Sequence, residues 1–134
     1  VPGYSMSDYP TDLRYTKDHI WVRVTGARWR VGLTSFFAAQ LSDVVFVKLP
    51  ETGKAFATGD AFGLVESVKT VQDLFMPASG TTVALNEDVC DEPELVNTDP
   101  YGDGWFVEIT PRDASELNSL MDARAYEAYV KSEE

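Results

Sequence analysis

The residues best suited to chemistry lie in Phe62-Gly63-Leu64-Val65-Glu66-Ser67-Val68-Lys69-Thr70-Val71-Gln72-Asp73, where one lysine separates two short apolar runs. Phe62 to Glu66 and Val71 to Met76 read as strands, which puts Lys69 at the turn between them. An amine presented there can be acylated, because paired strands fix the backbone while the tip stays in solvent. A bland alternative stands beside this: a solvated lysine that adds only charge. Other groups offer less. Cys90 is the single cysteine, so no intrachain disulfide forms, and no nucleophile motif surrounds it. No zinc spacing, phosphate loop or nucleophile elbow occurs. The acidic run Glu87-Asp88-x-x-Asp91-Glu92-x-Glu94 lacks EF-hand spacing and reads as a solvated loop.

The elements that must hold the lysine follow from periodicity. From His19 to Val24, Ile20, Val22 and Val24 alternate with Trp21 and Arg23, the mark of a half-buried strand. Gly26 turns the chain into a returning strand, Trp29 to Leu33. Thr34 or Ser35 caps a short helix to Leu41, with Phe36, Phe37 and Leu41 on its buried side. Val44 to Val47, Thr81 to Leu85 and Trp105 to Thr110 read as further strands. Asn86 to Gly104 is expected to be a long acidic loop with a helical turn near Glu94-Leu95-Val96. Asp113 with Glu116 forms a capping box for a helix through Leu120, and Asp122 caps a last helix bearing Tyr126, Tyr129 and Val130. The runs Val47-Lys48-Leu49-Pro50-x-x-Gly53 and Leu74-Phe75-Met76-Pro77-x-x-Gly80 echo one another. The expected fold is mainly β: a flattened barrel-sandwich hybrid of two small antiparallel sheets with pseudo-twofold symmetry, decorated by short peripheral and C-terminal helices.

Composition sets the limits. The 134 residues, 44% of them hydrophobic, suit one domain with a real core, expected over residues 11–134. Residues 1–10 are expected to be disordered or a leader left by cloning. Eleven basic and 22 acidic residues give a net charge of −11, which disfavours nucleic acid and anionic membranes and favours cationic partner surfaces. Without a membrane-length apolar run, a soluble monomer is expected, cytoplasmic in a bacterium or in the mitochondrial matrix of a eukaryote.

Several blocks together resemble the H protein family of the glycine cleavage system. They are Tyr15-Thr16-Lys17-Asp18-His19 with Trp21-Val22, Val31-Gly32-Leu33-Thr34, and Leu41-Ser42-Asp43-Val44-Val45-Phe46-Val47-x-Leu49-Pro50. Glu66-Ser67-Val68-Lys69, Pro77-x-Ser79-Gly80 and Pro93-Glu94-Leu95-Val96-Asn97-x-Asp99-Pro100-Tyr101-Gly102-x-Gly104-Trp105 follow in family order, so the likeness runs from about residue 13 to 130. The flanks argue against other cargoes. Biotin carriers resemble one another in having methionine on both sides of the lysine, where this chain has Val68 and Thr70. Lipoyl domains of 2-oxoacid dehydrogenase complexes usually carry an acidic residue directly before it, whereas here Glu66 stands three residues upstream.

The resemblance implies a non-catalytic carrier with lipoic acid attached at Lys69 and Glu66, Ser67 and Val68 as the recognition flank. Glycine decarboxylase would load an aminomethyl group onto the arm, aminomethyltransferase would pass the one-carbon unit on, and dihydrolipoamide dehydrogenase would reoxidise the dithiol. A lipoate-attaching enzyme is a further implied partner. Asp18, His19 and Asp73 are, by position, the implied lining of a cleft that shelters the loaded arm from water. Two departures bear on that shelter. Ile20 stands where the family usually has glutamate, and Ser35-Phe36-Phe37 replaces more polar residues, so arm docking is expected to be weaker. Two further readings stay open: an H-like protein relaying lipoyl groups to other complexes, and an unmodified interaction module.

Overall fold

The computed structural model describes residues 9 to 133. Strands β1 (Arg14–Tyr15), β2 (Ile20–Thr25) and β3 (Arg28–Leu33) lead into helix α1 (Ser35–Leu41). Next come β4 (Val44–Lys48), β5 (Ala55–Phe56), β6 (Ala61–Ser67), β7 (Val71–Phe75) and β8 (Gly80–Leu85). Two one-turn helices, α2 (Asp88–Asp91) and α3 (Leu95–Thr98), precede β9 (Val107–Pro111), a 3₁₀ helix (Ala114–Ser119) and α4 (Ala123–Glu133). A six-stranded sheet runs β1-β2-β3-β9-β8-β5 and a three-stranded sheet runs β4-β6-β7. Every strand pair is antiparallel. The expected mainly β architecture of two sheets with short helices is present, and the sheets are unequal and do not close.

The sheets meet through one apolar cluster. Val22, Val31 and Ile109 from the large sheet and Val47, Val65 and Leu74 from the small one are all buried in it. Non-directional burial of such side chains, each stabilising by roughly 1.5–3 kcal/mol, is what holds the two layers face to face. The proline–glycine echo has a structural meaning. Both copies leave an edge strand of the small sheet, β4 or β7, and enter neighbouring strands of the large one, β5 and β8. Proline ends each edge strand because it has no N–H to extend the ladder.

A second cluster lies against the large sheet on its other face. Tyr9, Leu13, Tyr15, Trp21, Phe36 and the α4 residues Ala123, Tyr126 and Val130 form it. This cluster changes the expected alternation of β2. Ile20, Trp21 and Val22 are all buried, whereas Val24 is exposed. Both faces are covered at the start of the strand and neither at its end. Tyr9 is fully buried, although the leading ten residues were expected to be loose; residues 1 to 8 of that segment lie outside the described residues.

Two local expectations are corrected. Asp113 does cap its helix, accepting from Ser115 N at 3.0 Å, yet Glu116 does not return to close a capping box. Its carboxylate instead accepts from the Thr58 hydroxyl at 2.6 Å and from Ser79 N at 3.4 Å, and the helix is 3₁₀. The acidic loop also holds one helical turn more than expected, since α2 as well as α3 forms and each sends a valine, Val89 or Val96, into the core.

Candidate attachment site

The site is the apex of the β6–β7 hairpin. In its ladder Leu64 faces Asp73, Val65 faces Gln72 and Glu66 faces Val71. Gly63 is required on the other side of β6, where β4 pairs with it, because a Cβ there would run into the Lys48 carbonyl. The turn itself is built by one side chain. Ser67 N donates to Thr70 O at 2.8 Å, while the Ser67 hydroxyl accepts from Lys69 N at 3.2 Å and Thr70 N at 3.1 Å. Such local side-chain bonds satisfy turn amides that no strand can reach. Val68 N donates to Asp43 O at 3.0 Å, tying the apex to the start of β4. Lys69 is exposed, and among the described residues no group pairs with its Nζ. The backbone of the apex is held and the amine is left to solvent.

Alternation then sorts the flank. Ser67 is buried and faces inward, whereas Glu66, Val68 and Thr70 are exposed. The outer face of the small sheet carries Phe46, Glu66 and Val71 in one cross-strand row and Lys48, Leu64 and Asp73 in the next.

Asp43 is itself positioned from a distance. Asn97 Oδ1 accepts from Val44 N at 2.9 Å, and Asn97 Nδ2 donates to Ser42 O at 2.8 Å. Ser42, at φ 66, takes the left-handed turn that ends α1. This one amide therefore locks the α1–β4 junction on which the apex hangs. The sequence reading missed Asn97 as a site residue, because nothing local marks a contact across more than fifty positions.

The three implied lining residues separate. Asp18, with Tyr15, Lys17, Met76 and Leu120, lines a cleft of about 240 Å³. Asp73 stands on the open outer face of the small sheet and does not line that cleft. His19 is turned under α4. Its Nδ1 lies 2.7 Å from the Tyr126 hydroxyl, which lies 2.7 Å from Thr34 Oγ1. Its ring stacks on Phe37 at 4.9 Å, and Nε2 is 3.5 Å from Glu133. Burial lowers the affinity of His19 for a proton, and Glu133 and Asp18 only partly offset that. His19 also closes the Thr16–Ile20 turn with φ 67, while Thr16 Oγ1 accepts from Asp18 N at 3.1 Å and Ile20 N at 3.2 Å. Ile20 faces the core and is buried.

A mainly β domain with one lysine exposed on a braced hairpin apex has the arrangement that a swinging-arm carrier needs. The comparisons narrow the class. The sequence pattern of the glycine cleavage H-protein family matches residues 13–133. The chain is 49% identical over 126 residues to the glycine cleavage system H protein of Symbiobacterium thermophilum, covering 94% of this chain and 98% of that protein. To the Bacillus subtilis H protein it is 47% identical over 124 residues, covering 92% and 98%. The crystal structure of the H protein from Mycobacterium marinum superposes with a TM-score of 0.81 at 40% identity, covering 92% of this chain and 98% of that one. This chain belongs to the glycine cleavage H-protein family, a family of lipoyl carriers. No described helix is long and apolar enough to cross a membrane.

Proposed function

We propose that Lys69 carries a lipoyl group in amide linkage and that the chain presents it in turn to the enzymes of glycine cleavage. The observation that carries this reading is the apex itself: an unpaired, exposed amine on a turn whose amides are satisfied by Ser67 and Asp43. Nothing at the apex blocks an acyl substituent on Nζ, so the residues present fit the group. When bound, lipoate supplies a disulfide–dithiol pair capable of thiol exchange and S-alkylation. The protein supplies position. A lysine with a lipoyl chain has ~10 rotatable bonds and reaches on the order of 10–15 Å, which confines its end to a small volume beside a docked partner.

Glu66 and Val68 form the exposed part of the recognition flank, and Ser67 acts from inside by shaping the turn. Asp73 is four residues along the chain from Lys69, so it lies at most about 13 Å away at roughly 3.3 Å per extended residue, within reach of the arm. Asp18 offers its carboxylate at the cleft, and His19 serves as a positioning residue for the turn that carries Asp18. Because Ile20 points into the core, its side chain leaves the sheltering of the arm to these groups. The partners in this reading are glycine decarboxylase, aminomethyltransferase, dihydrolipoamide dehydrogenase and a lipoate-attaching enzyme.

Intact mass after incubation with lipoate, ATP and a lipoate ligase tests the attachment. One lipoyl increment is expected, absent from Lys69→Arg; an unchanged wild-type mass would overturn the reading. Reconstituted glycine decarboxylation with the lipoylated protein then distinguishes glycine cleavage from lipoyl relay to other complexes. Turnover dependent on this carrier is expected.

A further inference from the structure

Large apolar side chains are exposed at only five places among the described residues, and four of them lie on the Lys69 hairpin or on the strand paired with it: Val45 at 52%, Phe46 at 48%, Val68 at 66% and Val71 at 56%. Their grouping is a product of register. Phe46 and Val71 flank Glu66 in one row across β4, β6 and β7, and Val68 stands at the apex beside the lysine. Val45 reaches solvent because the β4–β6 register shifts between Val44 and Phe46, which breaks the alternation that would have turned it inward. None of the four is needed by the core, which the small sheet meets with Val47, Val65 and Leu74 from its other face. An apolar group of this kind, interrupted by polar positions, marks an interaction surface.

From this arrangement we infer that Val45, Phe46, Val68 and Val71 form a docking collar for the enzyme that acylates Lys69, which binds it with an apolar rim bearing cationic groups. The inference rests on the attachment reading above and names the surface by which that attachment is made.

Reach selects this partner over the enzymes that use the finished arm. Before modification the lysine amine extends only about 6 Å from its Cα, so an acylating active site must close directly onto the residues around that root. After modification the arm spans on the order of 10–15 Å, and later partners can stand further off. Charge supplies the second half of the match. Glu66 lies within the Phe46–Val71 row, and Asp73 lies in the next row with Lys48 on the far side of Leu64, on a chain of net charge −11. Those carboxylates call for cations on the facing rim. The chemistry gains from the same contact. The amine must be neutral to attack the carbonyl of an activated lipoyl donor, an acyl phosphate anhydride or thioester. As the N–C bond forms, the bond to the phosphate or thiol leaving group breaks, and the amine proton passes to a base on the partner. Apolar surroundings closing over an amine disfavour its ammonium form.

The test compares wild type, Phe46→Ser/Val71→Ser, and Val24→Ser, which removes the fifth exposed apolar residue on the other sheet. Lipoylation by a purified lipoate ligase with lipoate and ATP is followed by intact mass, and binding of the ligase to the unmodified proteins by calorimetry. The collar variant is expected to lose at least about tenfold in both lipoylation kcat/KM and ligase affinity, while Val24→Ser stays within about twofold of wild type. Acetylation of Lys69 by a small succinimidyl ester should be equal in all three, which shows that the amine itself is unchanged. Phe46→Leu, which keeps the apolar contact, should restore most of the rate. A collar variant lipoylated as fast as a wild type that does take the group overturns this inference alone. A loss matched by slower chemical acetylation also overturns it, since the defect would then lie in the turn. A wild type that takes no lipoyl group overturns the attachment reading and this inference with it.

Discussion

Ser67 holds the turn that bears the lysine, and His19 packs beneath α4. The Ser67 hydroxyl accepts from both Lys69 N and Thr70 N, so Ser67→Ala leaves two turn amides to find water instead. A stability loss of about 1 kcal/mol, read as a lower urea midpoint, is expected. Slower lipoylation should accompany it, because the lysine then samples more backbone conformations. His19 is the one histidine, buried between Phe37 and Tyr126, and burial lowers its proton affinity in the folded state. The unfolded chain therefore binds the proton more tightly, and stability rises with pH across the interval between the two pKa values. The contribution is complete above the unfolded value near 6.5 and is lost as pH falls below it. Urea titrations of the wild type from about pH 5 to pH 7 should show rising midpoints, with a shallower rise in His19→Gln.

At the scale of elements, close approach decides which strands can pair. Gly32 on β3 lies opposite Trp21 on β2, and a Cβ there would occupy the space of the indole. The indole cannot move freely, since Trp21 Nε1 donates to Pro100 O at 2.9 Å. Gly32→Ala is expected to cost about 1–3 kcal/mol and to change the near-ultraviolet dichroism of the tryptophans. The α1–β4 junction offers a second test. Asn97→Ala would leave Val44 N and the Ser42 carbonyl without their partner, with an expected loss of about 1–3 kcal/mol. Because the neighbouring Asp43 carbonyl holds Val68 N, amide exchange at Val68 should speed up in this variant, which would mark Asn97 as a positioning residue for the apex.

For the whole molecule, charge and shape point the same way. The chain carries a net charge of −11, and four of the five exposed large apolar side chains among its described residues lie on the lysine hairpin or on the strand paired with it. Long-range attraction would bring cationic partners near, and the collar would provide contact once they arrive. Turnover of the reconstituted system is therefore expected to fall several-fold between low and high salt, mainly through slower association. The Phe46→Ser/Val71→Ser variant should keep that salt dependence, because it changes contact and leaves the charge untouched.

Much of this was legible from sequence because its physical causes are local. Period-2 alternation, Gly26 at φ 62 between β2 and β3, and the Thr34 cap on α1 each depend on residues a few positions apart. The hairpin bearing Lys69 belongs to the same class, since two β-prone runs and a serine turn suffice to make it. What failed were cases in which a local signal met a stronger distant partner. Glu116 has the spacing of a capping box, but Thr58 and Ser79 take its carboxylate. Trp21 has the spacing of an outward-facing residue, but α4 and the Tyr101 segment cover it. The chain's order of residues thus determined the strands, the apex and the exposure of its amine. Only tertiary packing decided that His19 sits beneath Tyr126, that Asn97 braces the apex, and that Val45 and Phe46 reach the lysine's side. Those placements depend on contacts 107 residues apart for His19 and 53 for Asn97, and on a shift in strand register that no local pattern encodes.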